Sequence, residues 1–314
     1  MFFLFSKGML LNYHMLSINN IITSAVVYLP RWLAKPFANP YVAGENQEDV
    51  LDKVKVINES GMCATVDMLG EHTKSLDEAK SVTNQYCEIF QKINSFNLDC
   101  NISVKPTHIG LDISYELARN NFLKLTKIAK KFSNFLRIDM ESSKVTNHTI
   151  KIYKECKSMY DKVGLVLQAY LKRSVDDLKL LSKQDFNSRI CKGIYNESSQ
   201  ISLKNSISIN ENYIKMAKLM HQSGSYAAYA THDQNLIDEL ISWIKANKIS
   251  KSLFEFQVLY GVPMQGRLEQ LIDQGYKVRI YVPYGKDWFD YSVRRLKENP
   301  NILKYVLKNF LKGN

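Results

Sequence analysis

Between Ala64 and Pro283 eight short runs rich in β-branched and aromatic residues alternate with segments of helical period. The runs span 64–69, 101–105, 135–139, 163–169, 189–195, 226–231, 253–259 and 277–283. Helical segments separate them at 75–96, 115–131, 149–161, 175–181, 211–223, 234–247 and 264–273. Strand and helix alternating eight times is the pattern of a (β/α)8 TIM barrel, and near-continuous apolar strands fit a parallel sheet covered on its outer face. An open doubly wound sheet is the alternative.

Ahead of the runs, Gln47 to Ser60 carries Val50, Leu51, Val54 and Ile57 on one helical face, and residues 18–41 read as short helices broken by Pro30, Pro36 and Pro40. The expected organisation is a helical lead-in over 1–60 and a barrel over 61–314, one domain overall. A chain of 314 residues, 45% of them apolar, can sustain one such core.

Several function classes recede at once. The cysteines Cys63, Cys87, Cys100, Cys156 and Cys191 are odd in number and form no C-x-x-C pair, which argues against a disulfide framework and a thiolate metal site. The six histidines show no H-x-H or H-E-x-x-H spacing, so no metal is expected. A net charge of +11 favours anionic partners, but the basic residues are scattered and match no nucleic-acid-binding signature. The apolar opening MFFLFSKGMLLNYHM lacks a basic flank and a cleavage site, and no apolar run is long enough to span a bilayer. The expected location is cytoplasmic. In residues 302–312, Ile302, Leu303, Val306, Phe310 and Leu311 oppose Lys304, Lys308 and Lys312, a stripe that suits packing on the barrel or peripheral contact with a membrane.

Barrels of this kind place their chemistry at the carboxyl ends of the strands, where polar residues recur here: Asp67 and Glu71, Lys105, Asp139 and Glu141, Gln168, Arg189 and Lys192, Thr231 and His232, Gln257, and Tyr281. The last of them lies in the segment KVRIYVPYGKDWFDYSVRRLKE, which begins at Lys277. It reads as a strand, a tight turn at Pro283 to Gly285, and a helix bearing Tyr291, Arg294, Arg295 and Glu298 in one sector. Two adjacent guanidiniums beside an aromatic ring suit a carboxylate clamp, and a solvated helix face is the competing reading. A Schiff-base lysine at Lys105 or Lys192 is a further alternative. No G-x-G-x-x-G is present. In RICKGIY, however, Gly193 beside Arg189 and Lys192 would let a bulky cofactor approach the backbone, and such cations stabilise the negative charge of a reduced flavin.

The stretches ATVDMLGEHT, ISVKPTHIGLDIS, FLRIDMESS, LVLQAYLKRS, RICKGIY, YATH, FEFQVLYGV and YVPYG…YSVRRLKE, in this order, resemble those of the proline dehydrogenase family, as does the LPRWLAKPFANPYVAGE lead-in. The resemblance implies a distorted (β/α)8 barrel with N-terminal helices and a final helix covering the carboxyl end. It also implies FAD-dependent oxidation of L-proline to Δ1-pyrroline-5-carboxylate, with electrons passed to a membrane quinone. By the same resemblance Arg294 and Arg295 bind the proline carboxylate, Lys105 serves the substrate, Glu298 pairs with the clamp, and Tyr291 and Tyr281 wall the pocket. Arg189 stands beside the flavin where hydride is accepted, and Asp139 organises that region. Met140, Gln168, Lys192, Gly193, Ile194, Thr231 and His232 fall where the family holds FAD. Two departures stand out: Ile194 replaces the family's usual alanine, and Asn196 replaces a large aromatic.

Overall fold

The computed structural model describes residue 35, residues 40–183 and residues 185–298, the side chains of 296–298 excepted. Of the short helices expected over 18–41, only Lys35 and the turn at 40–41 fall among the described residues, and the amphipathic tail at 302–312 lies outside them. Helix α1 (Gln47–Glu59) leads into eight parallel strands: β1 (Cys63–Met68), β2 (Cys100–Val104), β3 (Leu136–Ile138), β4 (Val163–Gln168), β5 (Asn187–Cys191), β6 (Tyr226–Ala230), β7 (Phe254–Leu259) and β8 (Val278–Tyr284). Each pairs with the next, and β8 pairs with β1, so the barrel is closed. That geometry, with no free edge, rules out the open sheet.

The helices between the strands are α2 (Leu76–Ser95), α3 (Tyr115–Lys131), α4 (Thr146–Met159), α5 (Ser174–Leu181), α6 (Ser206–Gln222), α7 (Gln234–Ala246) and α8 (Arg267–Asp273), and α9 (Trp288–Glu298) follows β8. Local chemistry sets where they start. Ser75, Ser114 and Asp233 each accept a hydrogen bond from the backbone N–H three residues on, capping α2, α3 and α7. Helix α8 begins later than its apolar period predicts, because Gln265 and Gly266 take left-handed φ values of 52° and 77°. Strand β5 likewise stops at Cys191 instead of reaching Tyr195, since Gly193 at φ 110° turns the chain. The apolar face of α1, with Val50, Leu51, Val54 and Ile57, joins the same core as the barrel helices.

The tight turn expected at Pro283 to Gly285 comes later. Pro283 and Tyr284 extend β8, with Pro283 in register with Asp67, and the chain turns at Gly285 with φ 125°. A strap of residues 40–45 fixes this corner. Ala43 N–H donates to Pro283 O (2.9 Å), Gly285 N–H to Gly44 O (3.0 Å), and Trp288 Nε1 to Glu45 Oε1 (3.2 Å). A Cβ at Gly261 would lie 1.6 Å from Pro40 O, so only glycine lets the strap pass there.

The barrel interior is polar where many such barrels hold branched aliphatics. Arg137 on β3 donates to Leu165 O and Asn187 O (both 3.1 Å) and to Asn187 Oδ1 (2.7 Å). Gly164 makes room for it, since a Cβ there would sit 2.4 Å from Arg137 Nη1. Glu255 on β7 accepts from Arg279 Nε (2.9 Å) and Tyr226 Oη (3.0 Å), and Arg279 Nη1 donates to Ala64 O (2.6 Å). Each buried charge therefore has a charged or carbonyl partner, which is the condition for keeping it inside.

Candidate active site

At the carboxyl ends of the strands lies a cavity of about 870 Å³, closed on one side by α9. That is ample for a cofactor and a small substrate. Its floor is Arg189, brought up from β5 and 6% exposed. The guanidinium donates through Nε to Gln257 Oε1 (2.7 Å), through Nη1 to Asp139 Oδ1 (2.8 Å) and through Nη2 to Ser103 Oγ (2.8 Å). Its carbon stands 4.9 Å from the Tyr281 ring centroid, and Tyr281 Oη donates to Asp139 Oδ2 at 3.2 Å. The plane of Arg189 is thus fixed from four strands.

Lys105 follows β2 and reaches Asp67 at the end of β1, Nζ to Oδ2 2.5 Å. Burial raises the Asp67 carboxyl, the Lys105 ammonium lowers it and Asp139 raises it again, leaving it at about 6. For Lys105, burial works against the charge, but Asp67, Asp139 and Glu71 together hold its ammonium above the ordinary range. Lys105 is therefore a held cation.

Helix α9 presents Tyr291, Arg294 and Arg295 to this cavity. The two guanidinium carbons lie 5.9 Å and 5.4 Å from the Tyr291 ring centroid. Arg295 is 8% exposed, which sets aside a solvated face for it. Arg294 Nε and Tyr291 Oη are buried without a partner among the described residues. The Glu298 side chain lies outside the described residues.

The remaining wall is formed by the residues that sequence reading assigned to a cofactor. Gln168 Nε2 donates to Met140 O (3.2 Å) and Glu141 O (2.8 Å), while its buried Oε1 has no partner among the described residues. His232 Nε2 accepts from Leu259 N–H (2.9 Å), which leaves the ring proton on Nδ1. Burial, with help from Arg295, pushes His232 down to about 4, so the ring is neutral at ordinary pH. Thr231 is buried, and its Oγ1 accepts from Asp233 N–H (3.1 Å). Lys192 pairs with the same Asp233, Nζ to Oδ2 2.7 Å. Met140 and Ile194 give apolar surface, Ile194 being 55% exposed.

Gly193 is needed for a reason that the sequence did not disclose: a Cβ there would fall 2.0 Å from the Tyr170 ring. The glycine serves a buried aromatic neighbour, with the close approach of a cofactor no longer required to explain it. A flavin nucleotide asks for a long cavity, an apolar wall for its ring, an acceptor for a ring N–H and cations near its charged parts. The cavity, Met140 and Ile194, the orphaned Gln168 Oε1, and Lys192 with Arg189 meet those requirements.

Ser103, Glu255 and Arg279 were missed as site-related residues, and Asp67 and Gln257 were noted only as strand-end polar groups. The signal was available in their parity. Asp67, Ser103, Arg137 and Asp139 alternate along their strands with apolar neighbours, and the register sets Asp67 beside Ser103 and Ser103 beside Arg137.

Residues 50–306 match the family model described as proline dehydrogenase. Proline dehydrogenase 1 of Bacillus subtilis subsp. natto is 39% identical over 275 residues, covering 88% of this chain and 91% of the relative. The proline dehydrogenase of Deinococcus radiodurans is 30% identical over 281 residues, covering 88% and 90%. Among solved structures, proline utilization A (PutA) from Bdellovibrio bacteriovorus, inactivated by N-propargylglycine, matches with a TM-score of 0.78 at 26% identity over 85% of this chain. The match takes up 33% of that longer protein. A Bradyrhizobium japonicum PutA mutant shares the fold at a TM-score of 0.68 and 20% identity, over 83% of this chain and 30% of its own.

Proposed function

Because this chain belongs to the proline dehydrogenase family, we propose that it oxidises L-proline to Δ1-pyrroline-5-carboxylate with FAD as cofactor and a membrane quinone as final acceptor, the first step of proline breakdown to glutamate. The observation that carries this reading is the meeting of Tyr291, Arg294 and Arg295 on α9 with the fixed Arg189, Asp139 and Tyr281 across one cavity. FAD, when bound, supplies a two-electron acceptor for the hydrogen leaving the carbon beside the proline nitrogen. Gln168, Thr231, His232 and Lys192 would hold it, together with Gly193, Ile194 and Met140.

Arg294 and Arg295 grip the substrate carboxylate as paired forks of donors, which point charges could not orient. Lys105, kept charged by Asp67, adds a third cation. Tyr291 and Tyr281 wall the substrate ring so that it meets the cofactor in one orientation, a source of much of the rate advantage of a bound substrate. Arg189, steadied by Asp139, provides positive charge where negative charge develops during the transfer. The charged state of Lys105 counts against the Schiff-base alternative, which needs a neutral amine.

No helix among the described residues is long and apolar enough to cross a membrane. A cytoplasmic enzyme touching the inner membrane surface peripherally accords with that and with quinone use. The test is an anaerobic titration of the purified protein with L-proline. We expect a yellow protein whose flavin absorbance bleaches stoichiometrically; a colourless protein that takes up no FAD refutes the reading.

A further inference from the structure

The guanidinium of Arg189 is held on its rear edge by Gln257, and Gln257 is itself held by Glu255. An amide side chain can present either its oxygen or its NH2, and the two choices have opposite consequences for Arg189. Glu255 decides between them. It is buried, 2% exposed, and although burial alone would raise its carboxyl, the Arg279 guanidinium brings it down to about 2. An ionised carboxylate can only accept, so Gln257 must give it the NH2, as the 2.5 Å contact from Nε2 to Glu255 Oε1 records. The Gln257 oxygen is then left facing Arg189 Nε at 2.7 Å.

We propose that Gln257 is a positioning residue for the oxidation, oriented by the Glu255–Arg279 pair, and that this chain of contacts sets the plane of Arg189. The proposal rests on the functional reading above. Three of the five Arg189 donors are engaged by Gln257, Asp139 and Ser103, and the residue lines the cavity. Removing the Gln257 acceptor leaves the guanidinium to Asp139, Ser103 and the Tyr281 ring, which loosens its plane at the Nε edge and misdirects positive charge while the α9 clamp is untouched.

The test compares Gln257→Met and Gln257→Glu with the full-length FAD-loaded wild type. Methionine keeps the volume and removes the acceptor. We expect kcat to fall about tenfold or more with KM for proline within about twofold, and the bound flavin to become tenfold harder to reduce, a shift of about 30 mV for a two-electron couple. Gln257→Glu supplies the internal check. Next to the Glu255 carboxylate, and with Arg279, Arg189, Lys277, Tyr226 and Asp139 as the other charged or titratable neighbours, the introduced carboxyl keeps its proton at low pH and reproduces the glutamine pattern. As pH rises and that proton leaves, two anions face one another, so the difference in potential between this variant and wild type changes with pH. An unchanged potential and kcat in flavin-loaded Gln257→Met overturn the proposal. So does a parallel loss of kcat, KM, flavin occupancy and melting temperature in both variants, the signature of a purely structural residue. Failure of wild type to take up FAD overturns the functional reading and this inference with it; a wild type that bleaches with proline separates the two.

Discussion

Replacing Glu255 by glutamine removes one charge from the centre of the barrel and leaves Arg279 there. Arg279 is 3% exposed, and its Nε donates to Glu255 Oε1 at 2.9 Å, so solvent does little to screen the pair. Two routes give the size of the effect. A carboxyl held at about 2 instead of 4.5 gains about 3 kcal/mol on folding, at about 1.4 kcal/mol per tenfold. Breaking a buried ion pair by neutralising one partner independently costs about 3–5 kcal/mol. We therefore expect Glu255→Gln to lose about 3 kcal/mol in urea unfolding followed by far-UV circular dichroism. The sign of the pH dependence follows from the depressed carboxyl. Its contribution is full above the ordinary carboxylate range and fades as pH falls toward 2, so wild type and variant converge in acid. A loss below about 1 kcal/mol at pH 7, or a gap that fails to close in acid, refutes the reasoning. Glu255→Met combined with Arg279→Met should destabilise less than the sum of the single changes, because no unpaired charge remains.

Arg294→Lys and Arg295→Lys, tested separately by steady-state kinetics, should each raise KM for proline about tenfold to a hundredfold with flavin retained, since one charge-assisted hydrogen bond is worth about 1.5–3 kcal/mol; an unchanged KM in either removes that arginine from the clamp. Gly193→Ala should lower stability by about 2 kcal/mol or more from the clash with Tyr170 and the left-handed backbone. Adding Tyr170→Leu should recover the part due to the clash, and thermal unfolding of the pair against the single variant measures it.

The barrel itself was legible in the sequence because its physics is local. Strand and helix periods alternate, and the apolar strands announce a sheet covered by helices. The strand-end polar residues were equally legible, since their positions follow from the runs that precede them. Three things were not. The turn after β8 depends on Pro283 O receiving an N–H from Ala43, a partner 240 positions away in the chain. The role of Gly193 depends on where the Tyr170 ring packs. Arg137, Glu255 and Arg279 read as ordinary strand residues until the register shows them turned toward the same interior, where their charges answer one another across the barrel.

The strap of residues 40–45 bears on what counts as a transferable piece of this protein. The family match begins at residue 50, and the first strand begins at Cys63, so either would be a natural place to start a graft or a fusion. A piece cut there would keep every strand, every barrel helix and every cavity residue. It would lose the backbone bonds from Ala43 to Pro283 and from Gly285 to Gly44, and with them the fixed corner at which α9 departs. Its melting curve could look sound while its affinity for substrate fell. A transferable piece that keeps this corner intact therefore starts at or before residue 40, upstream of the first strand.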